Sequence, residues 1–266
     1  MLRAADAESR MLVTSASDGG LPLRTVLVEA PGVVAARNAA LAHVSTDVVA
    51  FLDDDAAARP DWTRRIAAAF ADEPTLGGVG GRDWVQGEDP AATARTVGKV
   101  QWFGRTIGNH HLGAGPPRNV DILKGCNMSY RVTAIHGLRF DDRLRGTNTE
   151  DMAFSLAVRR RGWELRYDPE VAVDHFPADR ADRARDAREP TPAILRDRVY
   201  NETLTVYEHL PRLRRPVFLL WAVLVGTRAA PGLAQVPRLR AAHRDWPARL
   251  RAALAGRRQG VRAARR

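Results

Sequence analysis

The chain reads as an α/β protein with a mostly parallel central sheet flanked by helices, and three observations carry that reading. Short apolar, β-prone runs recur up to His175 with helix-length segments between them, the alternation that builds parallel sheets covered by helices. The clearest run, Val48-Val49-Ala50-Phe51-Leu52, stops abruptly in three carboxylates, Asp53, Asp54 and Asp55. In open α/β sheets ligands bind beyond the carboxyl ends of the strands, where this triplet projects. At 266 residues the chain is also long enough to bury a full core, as one large domain or a domain with an appendage.

The elements follow in order. Met1 to Arg10 holds no strand-like run and lacks the continuous apolar core of a secretory signal, so a cytoplasmic protein is expected. Residues 11–29 contain one short β-like stretch, Thr25 to Val28, after the turn sequence Gly19-Gly20-Leu21-Pro22. Pro31-Gly32 punctuates, and Val33 to Val44 reads as a helix. After the strand Val48 to Leu52, Pro60 opens a second helix that runs through Phe70, with Ile66 and Phe70 one turn apart. Gly77 to Gly81 is a close-packed strand or turn without the spacing of a phosphate loop. Residues 85–120 mix Gly, Pro, His and Asn without a period and read as a long excursion over the site. Order resumes at Ile122 to Arg131, and Thr149-Glu150-Asp151-Met152 begins a helix carrying Phe154, Leu156 and Val158. Carboxylates suit such a start because backbone amides and the helix dipole are positive there. Trp163 to Tyr167 and Val171 to His175 read as strands, and the charged stretch 178–190 reads as a loop before a helical C-terminal region.

Charge is unevenly placed. The chain carries +10, but residues 212–266 hold fourteen Arg against one Asp, so residues 1–211 are mildly acidic at −3. An Arg-rich end can meet nucleic acid or an anionic membrane surface, and charge alone does not choose. The apolar stretch Pro216 to Gly226 favours the membrane surface: it is too short to span a bilayer, which takes about 20 residues, but suits an interfacial helix. The competing reading is a core helix followed by a disordered basic tail. A nucleic-acid binder has little support, because the Arg-rich end lacks interleaved aromatics beyond Trp246 and any folded recognition motif. The single cysteine, Cys126, rules out an internal disulfide framework or a multi-cysteine metal cluster and reads as a buried structural thiol.

Adjacent carboxylates at a strand end repel one another, and a hard divalent cation with bound phosphate offsets that repulsion. Taken alone, the triplet suits a solvated acidic turn equally well. The order of motifs across Pro31 to His175 decides the matter, because it resembles the family-2 glycosyltransferases of the GT-A fold. Pro31-Gly32-Val33-Val34-Ala35-Ala36-Arg37-Asn38-Ala39-Ala40-Leu41 is similar to the helix preceding the metal-binding strand of these enzymes, and Phe51-Leu52-Asp53-Asp54-Asp55 to their Asp-x-Asp motif. Lys124-Gly125-Cys126-Asn127-Met128-Ser129-Tyr130-Arg131 resembles the acceptor-side loop, Glu150-Asp151 the Glu-Asp pair, and His175 a C-terminal histidine that joins the metal and diphosphate site.

The resemblance implies an inverting transfer of a sugar from a nucleotide-diphosphate donor to a hydroxyl of a glycan or lipid-linked acceptor, in polysaccharide or glycolipid synthesis. It implies a divalent metal, Mn or Mg, at Asp55 with Asp53 and His175, and donor contacts from Arg37, Asp53 and Asp54. Asp151 is implied as the base, with Glu150 positioning the acceptor, and Gly125 and Trp102 lie on the acceptor side. Trp84 is a second Trp able to stack on a sugar, although buried packing is the commoner use of Trp. The expected organisation is a glycosyltransferase domain over residues 1–178, a loop and helical connection over 179–210, and an apolar helix with an Arg-rich extension over 211–266. The expected location is cytoplasmic, peripheral on the inner face of the cell membrane. The family's opening strand-helix-strand unit, which holds the nucleotide base, finds no match before residue 11. The rival expectation is therefore a non-catalytic GT-A-like module that binds a membrane or a partner.

Overall fold

Apolar runs of the sequence become elements whose buried faces meet in two layers of core. The computed structural model describes residues 23–29, 32–146, 149–176 and 190–266. Helix α1 (Val33–Leu41) precedes strand β1 (Val48–Leu52), the short β2 (Ala56–Ala58) and helix α2 (Trp62–Asp72). Strands β3 (Leu76–Gly80), β4 (Asp83–Val85), β5 (Lys99–Val100), β6 (Thr106–Ile107) and β7 (Arg118–Val120) follow, with a 3-10 turn at His110–Leu112. Strand β8 (Asn127–Arg131) runs straight into α3 (Val132–Ile135), and then come α4 (Glu150–Arg160), β9 (Glu164–Tyr167) and β10 (Val173–His175). The C-terminal helices are α5 (Pro192–His209), α6 (Arg215–Leu224), α7 (Val236–Ala242) and α8 (Trp246–Ala264).

The main sheet has the order β1-β8-β3-β9-β7, beside a smaller sheet β2-β10-β4 and the pair β5-β6. Helices on both faces make this the expected α/β class. The expected predominance of parallel pairing does not hold among the described strands: β3 and β9 are parallel, whereas β1 with β8, β8 with β3, and β7 with β9 are antiparallel. Parallel neighbours need a crossover connection, usually a helix. Between β3 and β8 the chain instead makes the long irregular excursion, and β8 enters the sheet in the opposite sense.

On one face Phe51, Met128, Tyr130, Leu165 and Tyr167 meet Phe140, Phe154 and Val158, with Val34 and Leu41 of α1 packed against them. The rings of Phe140 and Phe154 stack at 4.1 Å. On the other face Trp62, Ile66 and Phe70 of α2 cover Leu76, Val79, Val171 and Val173. Each such fully buried side chain contributes about 1.5–3 kcal/mol relative to exposure. The excursion is tied down from the sheet, because the Arg82 guanidinium donates to the carbonyls of His111, Pro90 and Ala92.

Two local expectations change. Thr25 to Val28 is not a strand; it pairs with no described strand, and Leu27 lies exposed. Helix α1 ends at Leu41, its last residue packed on the core, rather than at Val44. Met1 to Arg10, the turn at 19–22, Pro31 and residues 178–189 lie outside the described residues.

The Arg-rich end is a folded helix rather than a disordered tail. Gly256 and Gly260 of α8, one turn apart, let it lie directly on the backbone of α5; a Cβ at Gly260 would come within 2.7 Å of the Tyr200 carbonyl. Between them Arg257 is buried and donates to the Ala230 carbonyl at 2.6 Å. The C-terminal helices join the sheet-bearing part through Val206, Tyr207, Leu210, Phe218 and Ala222, which pack with Ile122, Met152 and Leu156.

Candidate functional site

Four elements bring the predicted polar residues to one end of the main sheet. Asp53 leaves the end of β1, and the register pairs Leu52 with Asn127, so the Lys124-Gly125-Cys126 loop that enters β8 lies beside the Asp triplet. Helix α4 points its first turn at the same place. Arg37, one face of α1, joins all three: Nη1 donates to Glu150 Oε1 at 3.1 Å, and Nη2 donates to Asp53 Oδ1 at 3.0 Å and to the Gly125 carbonyl at 3.1 Å. Its Cζ lies 5.6 Å from the Phe140 ring centroid, on the apolar core. A Cβ at position 125 would stand 2.7 Å from Arg37 Nη2, so a side chain there has to displace the guanidinium from this arrangement.

Glu150 and Asp151 have different surroundings. Glu150 is buried, and its second oxygen accepts the Thr149 amide at 3.0 Å. Burial raises its carboxyl above the usual range, and neighbouring Asp151 adds to the rise against the opposing charge of Arg37. Asp151 is only partly buried; its oxygens accept the amides of Gly125 at 2.9 Å and Met152 at 2.7 Å. A carboxylate has about four lone-pair sites, so these two bonds leave room to accept a hydroxyl.

A second cluster lies beside the triplet. Strand β10 pairs antiparallel with β2 so that His175 faces Ala56, and parallel with β4 so that Val173 faces Asp83. His175 thereby bridges two carboxylates, with Nε2 3.4 Å from Asp55 Oδ1 and Nδ1 3.7 Å from Asp83 Oδ2. Lys124 pairs with the same Asp83 oxygen. Burial opposes the Asp83 charge, but His175 and Lys124 outweigh it and hold the carboxyl below the usual range. Ligand atoms of Asp83, Cys126 and His175 lie within 4.8 Å of one another. Asp83 Oδ1 and His175 Nδ1 are buried without a hydrogen-bond partner. Among the described residues the ligand atoms that converge are those of Asp83, Cys126 and His175, not the expected Asp53, Asp55 and His175; Asp55 and His175, 3.4 Å apart, and the unpartnered Asp83 Oδ1 are carboxylate and imidazole groups of the kind that a hard divalent cation accepts.

The expected site residues fall into two groups. Asp53, Asp55, Arg37, Gly125, Glu150, Asp151 and His175 meet at this end of the sheet. Asp54 is exposed in the turn after β1, and Trp102 is exposed on the excursion, with an edge contact to Phe103 at 5.5 Å. Arg37 is neither solvated nor turned outward to a nucleotide; it is buried and spent on three partners. Glu150 is likewise turned to Arg37 rather than to an acceptor, because a carboxylate this buried needs its counter-charge. The Trp84 ring is occupied by cations, with Arg82 Cζ 3.6 Å and Arg59 Cζ 4.7 Å from its centroid. Cys126 is buried, and burial pushes its thiol well above the ordinary range, in keeping with a structural thiol. Sequence reasoning missed Asp83 and Lys124. For Asp83 the available signal was a carboxylate two residues past the glycine-rich run 77–81, close to the pattern that marked the Asp triplet; Lys124 carried none.

Comparison with known proteins bears on the family and the fold. The family profile "Glycosyl transferase family 2" matches residues 9–141. Pre-mycofactocin glycosyltransferases from two strains of Mycobacterium tuberculosis are 31% identical over 147 residues, which is 54% of this chain and 30% of theirs. The match thus spans under a third of the length of those relatives. Among solved structures, GalNAc-T7 with UDP, GalNAc and Mn2+ superposes with a TM-score of 0.51 at 12% identity, over 78% of this chain and 44% of that one. S. aureus TarS 1-349 in complex with UDP-GlcNAc gives 0.51 at 15% identity, over 98% of this chain and 79% of that one. At these identities the structures establish the fold, which is that of the GT-A glycosyltransferases. A profile match over half the chain, on the stretch that supplies Arg37, the Asp triplet and the Gly125 loop, makes this protein a member of glycosyl transferase family 2.

Proposed function

We propose that the protein transfers a sugar from a nucleotide-diphosphate donor to an acceptor hydroxyl with inversion at the anomeric carbon. The observation that carries this reading is the Arg37 fork, which locks Asp53 at the end of β1 to Glu150 and the Gly125 loop and so sets Asp151 beside the Asp triplet. Asp151 is the base: it takes the acceptor hydroxyl's proton as that oxygen attacks the anomeric carbon, and the bond from that carbon to the diphosphate oxygen breaks on the opposite face. Proton removal of this kind is worth about 10²–10⁴-fold in rate. Asp55, with Asp53 and His175, would hold a divalent cation of the Mn2+ or Mg2+ class, which supplies Lewis-acid stabilisation of the departing diphosphate. Arg37 and Glu150 act as positioning residues, fixing Asp53 and the Gly125 loop. Asp54 and Trp102 face solvent, on the donor and acceptor sides respectively. In this reading the protein works on a glycan or lipid-linked acceptor of polysaccharide or glycolipid synthesis, from the cytoplasmic side.

Calorimetric titration with UDP and GDP, with and without Mn2+, tests the reading. One nucleotide should bind in a metal-dependent way, and Asp55→Ala should abolish that binding. Asp151→Asn should keep it while losing transfer by about 10²–10⁴-fold. No metal-dependent binding by folded protein would favour the non-catalytic module, and loss of donor binding in Asp151→Asn would contradict the role given to Asp151.

A further inference from the structure

We infer that α6 and the 3-10 turn Arg212–Arg214 before it form a docking face that seats the protein on an anionic lipid bilayer. Val217, Leu220 and Leu224 are separated by three and four residues, which puts them along one side of α6, and Leu213 stands on the 3-10 turn just before it. All four are exposed, Leu213 to 92% and Leu220 to 62%. Phe218 and Ala222, on the other side of α6, are buried with Val206, Tyr207 and Leu210. The helix therefore spends one apolar face on the core and keeps a second that no described residue covers. Val225 and Leu233 enlarge the exposed apolar surface. A contiguous patch of this kind marks an interaction site in a soluble domain.

The surrounding charge selects the occupant. From Leu210 to Arg244 the chain has seven arginines and no Asp or Glu, and Arg212, Arg214 and Arg228 are exposed. A second copy seated on this face would bring like charges together. Anionic headgroups take up the guanidinium groups while the leucines enter the boundary of the acyl layer. The helix lies on the bilayer rather than through it, since no helix among the described residues is long and apolar enough to cross.

The face is joined to the excursion over the site. The Trp221 ring contacts Phe103 at 5.1 Å, and Phe103 contacts the exposed Trp102 at 5.5 Å. A Trp with one apolar body and one polar edge sits well at headgroup level. An amphiphilic acceptor held in the bilayer would approach the protein on the Trp102 side. That last step rests on the transferase reading; docking itself does not.

The test is sedimentation of the full chain with vesicles of phosphatidylcholine alone or with phosphatidylglycerol added. The protein should pellet with the anionic vesicles, far less with the neutral ones, and come off as salt is raised. Leu220→Glu should weaken binding by at least about tenfold, and Arg212→Gln with Arg214→Gln by about fivefold each. Thermal unfolding unchanged from the parent shows that the variants fold. Unchanged metal-dependent UDP binding in Leu220→Glu separates docking from the donor site, so either reading can fail alone. The inference is overturned by absence of binding to anionic vesicles, by equal binding of Leu220→Glu and the parent, or by a concentration-dependent dimer that Leu220→Glu dissolves.

Discussion

Arg37→Met strands a buried carboxylate, and the cost follows from what each partner of Arg37 exposes. The side chains of Arg37 and Glu150 are 8% and 10% exposed, so their pair is desolvated on both sides. Removing one member of a buried pair costs about 3–5 kcal/mol, because the other charge stays buried without compensation. The Arg37–Asp53 pair has an Asp that is 39% exposed, where solvent screening leaves no more than about 1 kcal/mol. The loss is therefore governed by Glu150. Thermal unfolding followed by circular dichroism reads it as a drop of about 6–20 °C, at roughly 2–4 °C per kcal/mol for a chain of this size. The pH dependence has a definite sign. Burial and Asp151 hold the Glu150 carboxyl above its unfolded value, so the folded state keeps its proton longer than the unfolded chain, and stability falls as pH rises through the window between the two values. Without Arg37 the folded value rises further and the window widens, so the variant should lose more at about pH 8 than at about pH 5. Adding Glu150→Gln removes the stranded charge and should restore at least half of the loss. A single variant within about 1 kcal/mol of the parent at both pH values, or a double variant no more stable than the single, would refute the reasoning.

Two further outcomes follow, one from this cluster and one from the Asp83 cluster beside it. Gly125→Ala places a methyl 2.7 Å from Arg37 Nη2, a group pinned by three hydrogen bonds, and should cost about 1–3 kcal/mol in urea unfolding; an unchanged midpoint would show that Arg37 is free to move. Lys124→Met takes a cation from Asp83, whose carboxyl is held low by His175 and Lys124 against burial. A depressed carboxyl gives stability that is present above its unfolded value and lost as pH falls through the folded one, so losing Lys124 should shift acid unfolding to higher pH. Tryptophan fluorescence along an acid titration reads the shift, and an unmoved acid midpoint speaks against the pair.

What could be read from the sequence was chemistry confined to neighbouring residues. An apolar run ending in Asp53-Asp54-Asp55 carries its own signal, and β1 has the predicted bounds because Val48 to Leu52 is β-prone from end to end. Glu150-Asp151 could be placed at a helix start for the same local reason, and α4 begins there. Arg37 could not, because its meaning lies with Gly125 and Glu150, 88 and 113 residues further on. In the sequence it is one more arginine on a helix of alanines. The roles of Glu150 and Asp151 separate for the same reason: the pair is indistinguishable by position, and the distant guanidinium claims one carboxylate while the Gly125 amide takes the other. Strand direction was hidden too, since β8 lies between β1 and β3 only after the whole excursion from Asp83 to Leu123 has been laid down. The apolar stretch at 216–226 shows the opposite limit. Almost every residue there is apolar, so no period reveals which side faces the core. The decision belongs to Val206, Tyr207 and Leu210, which accept Phe218 and Ala222 and leave Val217, Leu220 and Leu224 outside. A local pattern thus fixes where a group sits along the chain, and the partner brought by the fold fixes what that group is able to do.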